Sequence, residues 1–238
     1  MQTLDLDYAA DGATLRGYLA YEEGTGRRPG VLVFHEGLGL GDFAMEKARQ
    51  LASLGYVALA ADMFGDRRQA SNLQEVATLV GGLRAEPEKL RARGRAALAT
   101  LAALPQVDTN RLAAIGFCFG GSVVLELARE GADLKAVVSF HGVLATKMPA
   151  PSGRVKASVL VLTGAEDPLA PPDQLAAFED EMRAGGVRDW QVISYGNTLH
   201  GFTNPAADGS MMRTALYNEQ ADRRSWASMR SLFDEVLT

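Results

Sequence analysis

Short apolar runs alternate with longer amphipathic segments along most of the chain. Six of these runs are rich in β-branched and aliphatic residues and apolar on both faces, which is typical of strands buried in a parallel sheet. The runs are residues 31–34, 57–61, 112–115, 136–140, 159–163 and 191–195. Because such strands need helices on both sides, the pattern predicts an α/β fold with a mostly parallel, doubly wound sheet.

The segments between these runs carry apolar residues at helical spacing. They predict helices over residues 42–54, 73–83, 87–104, 121–129, 172–184 and 222–237. Pro87 supports one of these starts, because proline at the first helical position gives up an amide that has no partner there anyway. Strand and helix therefore alternate as a doubly wound sheet requires.

The first twenty residues predict a different unit. Residues 4–8 and 15–20 are interpreted as short strands, and the turn-forming pair Asp11-Gly12 lies between them. This arrangement predicts a β-hairpin and hence an antiparallel start to the sheet. The chain contains no internal repeat, low-complexity tract or linker-like segment, so we expect a single domain over residues 1–238.

Composition and charge exclude several classes of function. The chain has 238 residues, 47% of them hydrophobic, and its 24 basic against 29 acidic residues give a net charge of −5. Such a chain has no cationic field to attract a phosphate backbone. No segment approaches the roughly 18 apolar residues of a spanning helix, and the first residues lack a signal peptide pattern. We therefore expect a cytoplasmic protein with neither nucleic acid nor membrane as partner.

The only cysteine, Cys118, lies between a predicted strand and a predicted helix, in the segment Gly116-Phe117-Cys118-Phe119-Gly120-Gly121. A nucleophile at a sharp strand-to-helix turn needs small residues two positions away on each side, and Gly116 and Gly120 supply them. The alternative is that Cys118 is a small buried hydrophobe, as most free cysteines are. The flanking glycines favour a nucleophile elbow.

An elbow at this position has chemical consequences. The first amides of the following helix stabilise a thiolate at Cys118, because the helix dipole is positive there. The backbone N–H of Phe119 is expected to bind the oxyanion of an acyl transition state, with a second donor near Gly37 after the first parallel strand.

A nucleophilic thiol needs a base, and the base needs an acid that fixes its tautomer. In α/β hydrolases the order along the chain is nucleophile, acid, histidine. His200 lies in a loop after the last predicted strand, which suits the base, whereas His35 and His141 are interpreted as structural or pocket-lining. Asp167 follows the strand at residues 159–163 and is the preferred acid. Its rivals are Glu166 and Asp173.

At this point the sequence resembles the dienelactone hydrolase family of α/β hydrolases. The residues that carry the resemblance are segments 35–37, 116–121, 164–168 and 199–202, and the cysteine in the elbow is the most specific of them. The resemblance implies a further acidic residue, Glu36, which faces the thiol and opposes thiolate formation by charge repulsion until substrate arrives. It implies hydrolysis of a carboxylic ester or lactone through a thioester, without cofactor or metal.

The resemblance is incomplete at the substrate site. Dienelactone-cleaving members bind the substrate carboxylate with two arginines, one of them just after the catalytic histidine, where this chain has Asn204. Of the other arginines, none of Arg67, Arg68 and Arg84 can be assigned to the pocket from sequence. The expected partner is therefore a small ester or lactone, either neutral or anionic. For the oligomeric state, a monomer and a weak homodimer remain alternatives.

Two other functions compete. Segment 39–44 matches the G-x-G-x-x-A pattern of dinucleotide-binding folds and precedes Asp62 at the end of the next strand, which would suit a nicotinamide-dependent oxidoreductase. However, four residues separate its first glycine from the strand, and this interpretation leaves Cys118 and His200 unexplained. The other alternative is a non-hydrolytic redox or binding module on the same fold.

Overall fold

One sheet contains all eight strands of the computed structural model, which describes residues 1–238. The strands are β1 (Gln2–Ala10), β2 (Ala13–Tyr21), β3 (Arg28–Phe34), β4 (Val57–Ala61), β5 (Val107–Phe117), β6 (Ala136–Phe140), β7 (Ser158–Gly164) and β8 (Trp190–Tyr195). Their order in the sheet is β1-β2-β4-β3-β5-β6-β7-β8. Strands β3 to β8 are parallel, and β2 joins them antiparallel to β4.

The predicted N-terminal hairpin is confirmed. Strands β1 and β2 pair antiparallel from Gln2–Tyr21 to Ala10–Ala13, so that only Asp11 and Gly12 remain for the turn. Both turn residues have positive φ angles, 46° and 79°. A two-residue turn of this kind needs left-handed backbone at both positions, which aspartate and glycine tolerate well.

Six helices cover the two faces of the sheet: α1 (Asp42–Ser53), α2 (Leu73–Ala85), α3 (Pro87–Ala102), α4 (Phe119–Glu130), α5 (Pro172–Ala184) and α6 (Glu219–Val236). Apolar residues of α1 and α6 pack on one face, together with Val31 and Val33 of β3. Those of α2, α3, α4 and α5 pack on the other face, together with Leu32 and Phe34 of the same strand. The doubly wound α/β fold is therefore confirmed. None of the helices is both long and apolar enough to cross a bilayer.

Several strands are longer than predicted, and the start of β5 differs most. Strand β5 begins at Val107, five residues before the predicted run, and its first residues pair with Arg28 and Pro29. The polar residues Asp108 and Asn110 hid this part of the strand, because the positions between the buried residues Val107 and Leu112 are half-buried or exposed. An irregularity in the pairing between Pro29 and Gly30 then brings Gly30 opposite Leu112.

The parallel strands bring several polar residues to one edge of the sheet. Glu36 follows β3, Cys118 follows β5, Asp167 follows β7 and His200 follows β8. In open parallel sheets, ligands bind outside the carboxyl ends of the strands. The topology therefore collects these four side chains around one region.

Candidate active site

Cys118 lies at a strained turn between β5 and α4. Its backbone has φ 52° and ψ −111°, a conformation that costs a non-glycine residue about 1–3 kcal/mol. A side chain at Gly116 would clash with the carbonyl of Gly120, and one at Gly120 would clash with the carbonyl of Phe34. Both positions therefore require glycine for this turn to form, which is the steric reason expected from the sequence.

The backbone amides around Cys118 differ in whether they donate a hydrogen bond within the protein. The amide of Cys118 donates to the carbonyl of Phe140 at 3.0 Å and to Nδ1 of His141 at 3.1 Å. The amides of Phe119 and Gly37 donate no hydrogen bond within the protein, and both residues line the cavity that Cys118 also lines. These two unused donors can bind a developing oxyanion.

His200 and Asp167 are buried and in direct contact. His200 Nδ1 lies 2.8 Å from Asp167 Oδ2, while Asp167 Oδ1 accepts from the amide of Leu169 at 2.8 Å. The rival acids Glu166 and Asp173 are exposed. A carboxylate acceptor at Nδ1 leaves Nε2 for proton transfer, and His200 Nε2 is buried without a hydrogen-bond partner.

The charge environment of His200 favours its protonated form. Burial by itself would lower the pKa of His200, but the neighbouring Cys118 and Asp167 raise this pKa to about 10. The sulfur of Cys118 and the carboxylate of Asp167 therefore stabilise a protonated His200. The arrangement can store a proton on His200 when Cys118 is ionised.

Glu36 lines the same cavity as Cys118 and His200. Its Oε2 accepts a hydrogen bond of 2.7 Å from Nδ2 of Asn204, in the loop that carries His200. Burial raises the pKa of Glu36, and the hydrogen bond from Asn204 opposes this rise. A carboxyl group whose pKa is raised in this way takes up a proton more readily than a solvated one does.

The other two histidines are fully buried and do not line the cavity. His35 contacts the carbonyl of Glu36 through Nδ1 at 2.6 Å and accepts from the amide of Met63 through Nε2 at 3.2 Å. It thereby holds the turn that carries Glu36. His141 lies beneath the elbow. Of the two roles that the sequence left open for them, the structure favours the structural one.

The cavity has a volume of about 620 Å³ and a mostly apolar wall. Contributors to this wall include Leu73, Val76, Val80, Phe119 and Met212. This volume is within the range of about 300–1,000 Å³ usual for small-molecule sites. The site can therefore enclose a substrate with a sizeable apolar body.

Arg84 lines the cavity and is a residue that the sequence analysis did not place there. Its Nη2 donates to Ser122 Oγ at 3.2 Å, and it has no acidic partner. Burial lowers the pKa of Arg84, whereas Cys118 raises it. The sequence could have indicated this position of Arg84. Helical spacing places it on one face of α2 together with Leu73, Val76 and Val80.

The glycines of the dinucleotide-like segment have a different role. A side chain at Gly39 would clash with the carbonyl of Arg68, and Gly41 faces the side chain of Gln69. The space that a pyrophosphate would need is therefore filled by protein. Asp62 accepts hydrogen bonds from backbone amides, those of Arg16, Phe64, Gly65 and Arg67. It stabilises a loop and is not free to bind a ribose.

Strand order and the elbow after β5 define an α/β hydrolase. Two solved structures superpose on the whole chain with a TM-score of 0.95. One of them is called m3DLH and is 46% identical to this chain. The other is 43% identical and is a dienelactone hydrolase-like promiscuous phosphotriesterase, P91, from metagenomic libraries. The match covers 99% of each of these two proteins. The dienelactone hydrolase family model matches residues 15–237. The chain therefore belongs to the dienelactone hydrolase family, a family of ester and lactone hydrolases.

A curated relative agrees with this assignment. A Yersinia pestis protein that is provisionally named carboxymethylenebutenolidase is 30% identical over 206 residues, which cover 81% of this chain and 76% of the relative. The predicted resemblance is confirmed, and the match extends over nearly the whole chain.

Proposed function

We propose that this hydrolase cleaves a carboxylic ester or lactone through a thioester on Cys118. His200 Nε2 holds the proton that the thiol gives up, Sγ bonds to the carbonyl carbon, and the amides of Phe119 and Gly37 bind the oxyanion. The tetrahedral intermediate then breaks its C–O bond, and the leaving alkoxide takes the proton from His200. In a lactone this alcohol stays attached to the acyl group.

The second half of the reaction releases the acid. His200 removes a proton from a water molecule, whose oxygen bonds to the thioester carbon, and the C–S bond breaks to return the proton to sulfur. Asp167 keeps His200 in the tautomer that both halves need. The observation that carries this proposal is the 2.8 Å contact between His200 and Asp167, with Nε2 left free of other partners.

Glu36 is proposed to control the resting thiol. Its carboxyl group lines the cavity with Cys118, and a negative charge there opposes formation of a thiolate. Substrate that enters the cavity displaces Glu36 from the thiol, and Cys118 then ionises. This protects Cys118 from oxidation between turnovers, because oxidants react with the thiolate and not with the neutral thiol.

The proposed substrate is an ester or lactone with a mostly apolar body. The apolar wall supports this class, and Arg84 without an acidic partner can pair with one carboxylate on it. Since Asn204 stands where dienelactone-cleaving members have one of their two arginines, we do not expect two arginines to bind the substrate carboxylate. We also propose that residues 1–238 act as one domain, which the single sheet supports.

The test is hydrolysis of p-nitrophenyl acetate by paired variants. Cys118→Ala is expected to lower kcat/KM by at least about 10³-fold, since it removes the nucleophile. Asp167→Asn is expected to lower it by about 10²–10⁴-fold because it disturbs the tautomer of His200, whereas the control Glu166→Gln changes an exposed carboxylate and keeps wild-type rates. Intact mass of His200→Ala treated with substrate is expected to show one acetyl group.

Two results would contradict the proposal. Full activity of Cys118→Ala would remove Cys118 from the reaction. Stoichiometric alkylation of Cys118 in the wild type without any loss of turnover would favour the non-hydrolytic redox or binding role for this thiol.

A further inference from the structure

His141 connects the two loops that carry the proposed nucleophile and base. It directly follows β6, is fully buried and has a φ angle of 41°. Its Nδ1 accepts from the amide of Cys118 at 3.1 Å, and its Nε2 lies 2.8 Å from Oγ1 of Thr203. Thr203 is also fully buried and lies three residues after His200.

The hydrogen bonds fix the tautomer of His141. A backbone amide can only donate, so Nδ1 must be the unprotonated nitrogen, and Nε2 carries the proton that it donates to Thr203. A protonated ring would place two N–H groups against each other at Cys118. The ring must therefore be neutral to hold the elbow.

The surroundings keep His141 neutral. The ring is 5.1 Å from that of His200, centroid to centroid. Lys47 of α1 lies over the ring of Phe117, which is 6.1 Å from the ring of His141. Burial, together with the charges of His200 and Lys47, holds the pKa of His141 well below its usual value. When His200 carries a proton during turnover, a second imidazolium at this distance is disfavoured.

We infer that His141 is a positioning residue, which joins the amide of Cys118 to the hydroxyl of Thr203 and so fixes the elbow relative to the loop of His200. This role rests on the proposed function. The same contact also affects the position of Glu36, because Thr203 directly precedes Asn204, whose side chain donates to Glu36. His141 also engages the amide of Cys118, so that the amides of Phe119 and Gly37 are left for the oxyanion.

Thr203 offers the cleanest test. Thr203→Ser keeps the hydroxyl, whereas Thr203→Val replaces it with a methyl group of similar size. We expect Thr203→Val to lower kcat for p-nitrophenyl acetate on the order of tenfold with little change in KM, because small displacements of reacting groups lower the rate of the chemical step. Thr203→Ser is expected to stay within about twofold of the wild type. Titration of the single thiol under denaturing conditions gives the enzyme concentration, and circular dichroism gives its folded fraction.

A double-variant cycle separates positioning from simple packing. His141→Phe retains a planar aromatic ring but makes neither hydrogen bond, and His141→Asn retains an acceptor for the amide of Cys118. We expect His141→Phe to lower kcat at least as much as Thr203→Val does, His141→Asn to recover most of that loss, and the double variant to be no slower than His141→Phe alone.

Several outcomes would overturn the inference. They are wild-type kcat in Thr203→Val, equal losses in Thr203→Ser and Thr203→Val, or losses that multiply in the double variant. If His141→Phe does not fold, the two Thr203 variants decide the question. Failure of the proposed function has a different readout, namely activity that survives in Cys118→Ala.

Discussion

The carboxyl group of Glu36 accepts its hydrogen bond from a neutral side chain, that of Asn204. Asn204 donates to the carboxyl group at 2.7 Å and supplies no positive charge, so that burial dominates and raises the pKa of Glu36. An arginine at position 204 would hold the carboxylate ionised far more strongly. The exchange of one residue therefore changes how readily Glu36 can take up a proton beside Cys118.

The role of Glu36 can be tested through the reactivity of the thiol. Glu36→Gln removes the charge and retains an acceptor for Asn204, so we expect iodoacetamide to alkylate Cys118 faster at pH 8, by up to about tenfold. The difference should shrink as the pH falls, because the raised pKa of Glu36 leaves the wild-type carboxyl group increasingly neutral.

The matched control for this measurement is Glu166→Gln, which removes an exposed carboxylate from a neighbouring loop. It is expected to alkylate at the wild-type rate. An unchanged or slower rate in Glu36→Gln would remove Glu36 from the control of the thiol.

At the scale of elements, the junction of β5 and α4 depends on close contact between backbones. Gly120 lies against the carbonyls of Phe34 and His35 at the end of β3. The amide of Gly120 donates to the carbonyl of His35 at 3.0 Å. Helix α4 and strand β3 thus approach without side chains between them, and this contact brings Glu36 and Gly37 close to Cys118.

Gly120→Ala is therefore expected to destabilise the protein. The added methyl group meets backbone atoms that cannot rotate away, and we expect a loss of about 2–3 kcal/mol or more in the free energy of unfolding, measured by urea denaturation. Gly82→Ala in α2 is the control: its methyl group meets nothing, and alanine favours helices by about 1 kcal/mol. Equal stability of the two variants would show that the contact at Gly120 can relax.

Local patterns predicted elements better than they predicted contacts. The start of α5 at Pro172 and the bounds of β4 and β6 were correct, because the apolar runs and prolines that define them are local. The start of β5 was wrong, since its first residues are polar and are held by pairing with Arg28. Similarly, α4 begins at Phe119 and not at residue 121, because the elbow leads directly into the helix.

Across the whole molecule, the loops after β3, β5, β7 and β8 could be assigned to one edge from the sequence, because parallel strands share an edge. Contacts between side chains could not be assigned in the same way. The bond between Glu36 and Asn204 spans 168 residues, and that between Arg84 and Ser122 depends on how α2 and α4 pack. Such contacts follow from packing in three dimensions and leave no periodic trace in the sequence.

The stability of the whole protein should depend on pH through His200. The folded-state pKa of His200 is about 10, against 6.5 for the unfolded chain, so its contribution is complete below pH 6.5 and is lost as the pH rises through 10. We expect the free energy of unfolding to fall between pH 7 and pH 9.5, by about 1.4 kcal/mol for each pH unit at most. Chemical denaturation at several pH values measures this decline.

Cys118→Ala separates this effect from other alkaline titrations. The variant retains Asp167 but lacks the sulfur, which contributes to the raised pKa of His200. The decline in its free energy of unfolding should therefore be smaller than in the wild type, while groups remote from the site contribute equally to both. Identical declines would mean that Cys118 and His200 are not electrostatically coupled. In that case the proton transfer from sulfur to imidazole would lose its physical basis, even though the contact between His200 and Asp167 remained.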